Sequence, residues 1–124
     1  MNLYQAELMD HYQNPRNAGT LESADFASGE HNPSCGDSVA MEGKVQAGVL
    51  YRVSFQGKGC VISQATASIL TEHCQGKTLD YILNIGTDQV QSLVGLSLGP
   101  TRLKCALLAL EALKSGINFY KAHQ

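Results

Sequence analysis

The sequence predicts an α+β domain in which a small three-stranded antiparallel sheet has helices packed on one face. Alternating apolar and polar residues between positions 38 and 55 predict the strands. Apolar residues at helical spacing before and after that stretch predict the helices. Hydrophobic residues make up 44% of the 124-residue chain, which is long enough to bury one self-standing core. We therefore expect a single domain over residues 1–124.

The first predicted element is a helix that ends at Asn14-Pro15, because the residue before a proline is pushed away from helical geometry. Its apolar stripe is formed by Met1, Tyr4, Leu8 and Tyr12. Residues 17–34 are rich in glycine, serine, asparagine and proline and lack a clear period. They are predicted to form a long ordered loop, and loops of this length in compact domains are often functional.

A β-hairpin is predicted next, with a turn near Gly48. The residues expected to face the core from its two strands are Val39, Met41, Tyr51, Val53 and Phe55. A third short strand is expected just before Cys60, where Gly57 and Gly59 set it off from the hairpin.

Helices are predicted for the rest of the chain. The first carries Ile62, Ala65, Ile69, Leu70 and His73 and stops at Gly76. Thr78 and Thr87 are each placed to cap a short helix, and Gly99-Pro100 begins the last one. Its apolar stripe is predicted to be Leu103, Leu107, Leu110, Leu113 and Ile117.

Charge and hydropathy exclude several classes of function. The net charge is −2 and no basic face is visible, which argues against nucleic-acid binding. The start of the chain lacks a basic segment followed by an apolar run, so no secretory signal is predicted. Apolar runs are only a few residues long, too short to cross a membrane. We expect a cytoplasmic protein whose cysteines stay reduced.

The spacing of the four cysteines leaves three explanations open: buried structural thiols, a catalytic thiol, or a metal site built from distant segments. No pair has C-x-x-C spacing, which excludes a zinc finger or a thioredoxin-type motif. Cys74 continues the apolar stripe of its helix and is predicted to belong to the core. The other three cysteines are Cys35, Cys60 and Cys105.

Each of these three thiols lies in a segment compatible with metal binding. In extended backbone Cys35 and Asp37 would point the same way, although an incidental cysteine in a turn explains the segment equally well. Cys60 lies between a predicted strand and a predicted helix, and a buried thiol in a turn is the alternative. Cys105 lies near a helix N-terminus, which favours thiolate, unless that helix is simply buried on two sides. Thiols and a carboxylate brought together would suit zinc or an iron–sulfur cluster.

Four stretches together resemble one known family. LYQAELMDHYQNPRNAG, NPSCGD, GKGCVIS and LGPTRLKCALLALEAL occur in that order across nearly the whole chain and resemble the IscU/SufU/NifU-N-terminal family of iron–sulfur cluster assembly scaffolds. The resemblance implies the IscU/NifU-N-like form of the predicted fold and a cysteine desulfurase as sulfur donor. It also implies that the ligands of the metal or cluster are Cys35, Asp37, Cys60 and Cys105.

Two departures bear on the subtype. IscU-type members carry histidine immediately before the third cysteine, where this chain has Lys104, and an LPPVK-type motif for an Hsp70-type chaperone, where it has LGPTR at residues 98–102. Both departures favour SufU-like members, which hold zinc. The chain nevertheless lacks the insertion that SufU proteins have between the second and third cysteines. The subtype is mixed, and the resemblance does not imply an Hsp70-type chaperone as a partner.

The function implied by the resemblance is a scaffold, rather than an enzyme, that builds a [2Fe–2S] cluster from iron and desulfurase-derived sulfur and passes it to apo iron–sulfur proteins or carrier proteins. The alternative is a zinc-dependent, SufU-like sulfur carrier with sulfurtransferase-like activity, in which Cys35, Cys60 or Cys105 accepts persulfide. A structural zinc site is disfavoured because a domain of this size needs no metal staple. A Cys–His hydrolase is disfavoured because no histidine lies in a recognisable partner motif.

Overall fold

The fold is given by a computed structural model that describes residues 2–34 and 36–124. Over these two ranges the chain forms five helices and a three-stranded antiparallel sheet, which confirms the predicted α+β class. The elements follow one another as α1 (Leu3–Gln13), β1 (Phe26–Asn32), β2 (Asp37–Gln46), β3 (Val49–Lys58), α2 (Val61–Cys74), α3 (Leu79–Leu83), α4 (Thr87–Val94) and α5 (Pro100–Ala122).

The hairpin predicted from alternation is formed by β2 and β3, which are joined by a turn at Ala47 and Gly48. Tyr51 was expected to face the core and does not, since it is 42% exposed. The pairing shifts register between Lys44 and Val45, so that the alternation seen later in β3 does not extend back to its start. The apolar side chains that the hairpin buries are Val39, Met41, Leu50, Val53 and Phe55.

The third strand is not where the sequence predicted it. No separate strand precedes Cys60, because β3 continues through Gly57 to Lys58. The third strand is β1, which lies inside the predicted loop and pairs with β2 from Phe26↔Gly43 to Asn32↔Asp37. This strand was missed because its sequence, FASGEHN, is poor in the β-branched and aromatic residues that are enriched in strands.

Most helix ends agree with the local signals. The first helix ends at Asn14, Thr78 caps α3 through the N–H of Tyr81, and Gly99-Pro100 begins α5. The cap of α4 was predicted wrongly, because Gly86 rather than Thr87 takes that place. The stripe predicted for α1 is buried only at Leu8 among its described members, whereas Tyr4 and Tyr12 are exposed and Met1 lies outside the described residues.

The helices cover one face of the sheet and bring four chain segments to one corner. Helix α5 packs against β1 and β2, α2 packs against β3 and α5, and α1 packs against α2. The start of β2, the end of β3, the N-terminus of α2 and the second turn of α5 therefore converge. Among the helices in the described ranges, none has the length and apolar character needed to cross a membrane.

Candidate metal centre

Three potential metal ligands converge at this corner. The Sγ atoms of Cys60 and Cys105 and a carboxylate oxygen of Asp37 all lie within 4.8 Å of one another. Over residues 2–34 and 36–124, this is the one such group of three or more histidine, cysteine or acidic side chains. The ligands come from the start of β2, the residue before α2 and the second turn of α5, so that a single ion could link three separate segments.

Asp37 and Cys60 contact each other directly. The backbone N–H of Cys60 donates to Asp37 Oδ1 at 2.8 Å, and Cys60 Sγ lies 3.1 Å from Asp37 Oδ2. Asp37 is only 1% exposed, and a buried carboxylate requires such donors. The antiparallel pairing of Ser38 with Lys58 creates this proximity, because it places Asp37 beside Gly59, the residue just before Cys60.

Gly59 allows the segments that carry Asp37 and Cys60 to come this close. Its φ of +138° lies in a region that side-chain-bearing residues rarely adopt. A Cβ built on Gly59 would overlap the carboxylate of Asp37. A glycine is therefore required here both for the backbone conformation and for the close approach.

Cys60 is the N-cap residue of α2. Its Sγ accepts a hydrogen bond from the backbone N–H of Ser63 at 3.5 Å and lies 3.8 Å from Ser63 Oγ. The N-terminal end of a helix carries partial positive charge and unsatisfied N–H groups. The hydrogen bond from Ser63 holds Cys60 Sγ at this helix N-terminus, beside Asp37 and Cys105.

Cys105 reaches the site from a helix that is buried on two sides. It is 5% exposed, and Leu108, Ala109 and Ala112 on the same side of α5 are buried as well. Burial of that side confirms the simpler of the two sequence explanations, but it does not exclude a ligand role, because Cys105 Sγ also lies in the cluster.

An apolar cavity of about 750 Å³ adjoins Cys60 and Cys105. Its walls include Leu8 and Met9 of α1 and Val61 and Ile62 of α2, together with Leu96. Apolar walls lower the local dielectric and strengthen electrostatic attraction between a cation and thiolates. Arg102, on the first turn of α5, also lines the cavity and contributes a positive charge.

The other predicted site residues have different outcomes. Cys35 lies outside the described residues, so its place as a ligand stays a prediction. Cys74 is fully buried in the hydrophobic core, as predicted, and burial raises the pKa of its thiol to about 12. Lys104 is exposed on α5 beside Cys105.

The sequence did not reveal the contacts that support these ligands. Ser63 and Gln64 form hydrogen bonds around Cys60 and Ser38, yet neither was predicted to have a role. Arg102 was expected to favour the thiolate of Cys105 through its charge, and its place in the cavity wall was not predicted. One sequence signal was available for the Ser63 contact. Cys60 directly precedes a predicted helix, and the first backbone N–H groups of such a helix point toward the preceding residue.

Comparison with known proteins gives the family. The family model for the NifU-like N-terminal domain matches residues 3–124. The zinc-dependent sulfurtransferase SufU of Bacillus subtilis is 33% identical over 93% of this chain and 89% of its own length. The iron–sulfur cluster assembly scaffold protein IscU 1 of Archaeoglobus fulgidus is 37% identical over 95% of this chain and 76% of its own length.

A solved structure shows the same fold. The N-terminal part of a nitrogen-fixing NifU-like protein from Brucella abortus superposes with a TM-score of 0.79, covering 98% of this chain and 96% of that one at 21% identity. Because the family model spans nearly the entire chain and the two relatives each exceed 30% identity, this chain belongs to the NifU-like N-terminal domain family.

Proposed function

We propose that this chain is a scaffold on which [2Fe–2S] clusters are assembled from iron and from sulfur supplied by a cysteine desulfurase, and from which they pass to apo-proteins. The observation that carries this proposal is the convergence of Asp37, Cys60 and Cys105, with ligand atoms within 4.8 Å of one another. The scaffold named among its relatives supports the same function. Thiol ligands require a reducing compartment, and we propose the cytoplasm.

We assign Cys60 and Cys105 as two thiolate ligands and Asp37 as a carboxylate ligand. Soft thiolates suit iron–sulfur clusters and zinc, so the donor set fits either group. Cys35 is the proposed third thiolate, because it lies two residues before Asp37 in the stretch NPSCGD, which resembles the scaffold family. Gly36 between them is in a turn with a φ of +76°, so the proposal rests on the motif and not on extended backbone. The carboxylate then completes four ligands.

Asp37 is proposed as the ligand that permits release. A carboxylate oxygen binds a thiophilic iron less well than a thiolate does, so Asp37 should exchange first with an incoming acceptor thiolate. Its Oδ1 already accepts the N–H of Cys60, which keeps the carboxylate in place when the bond to iron opens. The three thiolates would hold the cluster during that exchange.

The sulfur chemistry must balance in electrons. Two persulfide-derived sulfurs at the sulfane level need four electrons in total to become sulfide. Two ferrous ions supply two of these electrons as they become ferric, and an external reductant supplies the other two. We assign this chain the task of holding iron and persulfide together, with Cys35, Cys60 or Cys105 as the persulfide acceptor.

A zinc-dependent sulfur carrier is the second candidate. One observation favours it: the relative from Bacillus subtilis, which aligns with 93% of this chain, is named a zinc-dependent sulfurtransferase. In that function a site thiolate attacks the outer sulfur of the desulfurase persulfide, becomes a persulfide itself and releases the desulfurase thiolate. The outer sulfur then passes in the same way to an acceptor thiolate, and zinc is the resident metal. The same donor set accommodates this role.

Anaerobic reconstitution distinguishes the two functions. The chain is incubated with a cysteine desulfurase, cysteine, ferrous iron and dithiothreitol, and visible absorption is followed. The scaffold predicts sulfide-to-iron charge-transfer bands that depend on Cys60 and persist in Cys74→Ala, followed by transfer to apo-ferredoxin. Tight zinc binding with persulfide relay and without these bands would overturn the scaffold in favour of the carrier.

A further inference from the structure

The side chain of Gln64 joins the two chain segments that supply Asp37 and Cys60. Gln64 lies in the first turn of α2, and its Nε2 donates to the backbone carbonyl of Ser38 at 3.2 Å. The same Nε2 donates to Ser63 Oγ at 3.0 Å. Ser38 directly follows Asp37, and Ser63 contacts Cys60, so that one amide group reaches both sides of the candidate site.

The orientation of the Gln64 amide is set by its partners. The carbonyl of Ser38 can only accept a hydrogen bond, so the NH₂ group rather than the oxygen must face it. The side chain lies against Gly57 of β3, where an added Cβ would come within 2.9 Å of Gln64 Oε1. The amide is therefore held between β3 and the start of α2.

Ser63 links the Gln64 amide to Cys60 through hydrogen bonds. Its hydroxyl accepts from Gln64 and donates to the carbonyl of Cys60 at 3.2 Å, while its backbone N–H points to Cys60 Sγ. Ser63 is completely buried, which leaves its hydroxyl no water to exchange with. The position of Gln64 thus affects the turn that presents the thiol.

Asp37 and Cys60 are also joined directly, because the backbone N–H of Cys60 donates to Asp37 Oδ1 at 2.8 Å. The bonds made by Gln64 act from outside this pair, on Ser38, which follows Asp37, and on Ser63, which supports the turn that carries Cys60. They therefore hold the two segments together without using the side-chain atoms that would bind a metal.

We propose that Gln64 is a positioning residue for the metal centre, which fixes the separation of Asp37 and Cys60 before and during metal capture. This inference rests on the proposed function, since it assumes that both residues bind a metal. Gln64 itself touches no metal in this role. Side chains that orient metal ligands from outside commonly change metal affinity by about tenfold to a hundredfold when they are replaced.

The far end of α2 offers a matched control. Gln75 Oε1 accepts the backbone N–H of Val53 at 3.1 Å and so ties the other end of α2 to the same sheet, at β3. Gln64→Met and Gln75→Met each remove one amide that bridges helix and sheet, and each replaces it with an unbranched side chain. Only Gln64 lies beside the metal centre.

The test measures the zinc dissociation constant by competition with a chromophoric chelator, together with the melting temperature of the zinc-free chain. We expect both variants to melt at lower temperature, and only Gln64→Met to weaken zinc binding, by about tenfold. Gln64→Asn, whose shorter side chain cannot reach both partners, provides the same comparison if the methionine variant does not fold.

Three results would overturn the inference, and they can be told apart. Unchanged zinc affinity in the Gln64 variants, or an equal loss in Gln75→Met, would remove the positioning role and leave the proposed site intact. Failure of the wild-type chain to bind zinc at all would overturn the assigned site and the role of Gln64 with it.

Discussion

The two ends of helix α2 carry cysteines in opposite environments. At the N-terminal end, Cys60 receives the backbone N–H of Ser63 and lies beside the carboxylate of Asp37 and the thiol of Cys105. At the C-terminal end, Cys74 is sealed in the core, and burial raises the pKa of its thiol to about 12 despite the opposing effect of Lys77.

The two cysteines differ both in burial and in the backbone groups around them, since Cys60 is exposed whereas Cys74 is completely buried. Backbone N–H groups and partial positive charge at an N-terminus favour thiolate, while carbonyl groups and apolar neighbours at a C-terminus favour the neutral thiol. A thiol that holds its proton at neutral pH is a poor metal ligand. The same residue type therefore serves as a candidate ligand at one end of α2 and as packing at the other.

Replacing the glycines that flank α2 with alanine should produce the largest difference in zinc affinity and in free energy of unfolding between the two ends of the helix. Gly59 and Gly76 both have positive φ, but a Cβ on Gly59 would overlap Asp37, whereas one on Gly76 meets nothing within 4 Å. Both changes introduce backbone strain of about 1–3 kcal/mol. We expect Gly59→Ala to lower the free energy of unfolding further and to abolish tight zinc binding.

Urea unfolding and zinc competition measure the two effects, with Gly76→Ala as the control for strain alone. That variant should be destabilised but should bind zinc like the wild type. Equal loss of zinc affinity in both variants would mean that general stability, rather than the position of Asp37, controls the site.

Two replacements of Asp37 should sharpen the account of release. Asp37→Asn keeps an acceptor for the Cys60 N–H and removes the charge, whereas Asp37→Ala removes both. A buried donor left without a partner costs about 1–3 kcal/mol, so only Asp37→Ala should melt at clearly lower temperature. Both variants should still assemble a cluster but transfer it to apo-ferredoxin more slowly, as followed by visible absorption.

The stability of each variant separates a ligand from a residue that only supports the turn. Normal cluster transfer by Asp37→Asn would show that the carboxylate charge has no part in release. Reduced assembly together with a lowered melting temperature in Asp37→Ala alone would make Asp37 a structural residue.

Lys104→Ala should have the smallest effect on the metal. An exposed lysine would have to lose its proton before binding zinc, because an ammonium group has no free electron pair to donate to the metal. We expect the zinc dissociation constant to change by less than about threefold, as for Lys58→Ala, which removes the same charge from the end of β3. A loss as large as that of a cysteine variant would identify Lys104 as a ligand.

Local signals predicted much of the fold and failed where distant contacts decide. Asn14-Pro15 and Gly99-Pro100 marked helix ends correctly, because proline restricts the backbone wherever it occurs. Strand β1 was read as loop because its sequence has little strand propensity and its structure depends on pairing with β2. Tyr51 was placed wrongly because nothing in the sequence indicates the register shift at Lys44 and Val45.

The sequence supplied candidate ligands, but it could not show that three of them lie together. The environment of Cys74 followed from its apolar stripe, and resemblance supplied Asp37, Cys60 and Cys105 as candidates. Their convergence depends on how α5 crosses the sheet, which spacing along the chain does not encode. Gln64 could not be found from the sequence, because its partner Ser38 lies 26 residues away and a glutamine on a half-buried helix face has no distinctive pattern.

A cobalt(II) titration of three proteins tests whether Cys105, and not Cys74, is a ligand of the proposed metal site. Anaerobic cobalt(II) is added to the wild type, Cys105→Ala and Cys74→Ala, and thiolate-to-cobalt charge-transfer absorption is measured in the near ultraviolet. Both alanine variants remove a buried helical cysteine, but only Cys105 lies among the three converging candidate ligands. We predict one cobalt per chain in the wild type and Cys74→Ala, and weaker absorption with lower affinity in Cys105→Ala. Loss of the absorption in Cys74→Ala, with Cys105→Ala unchanged, would contradict this prediction.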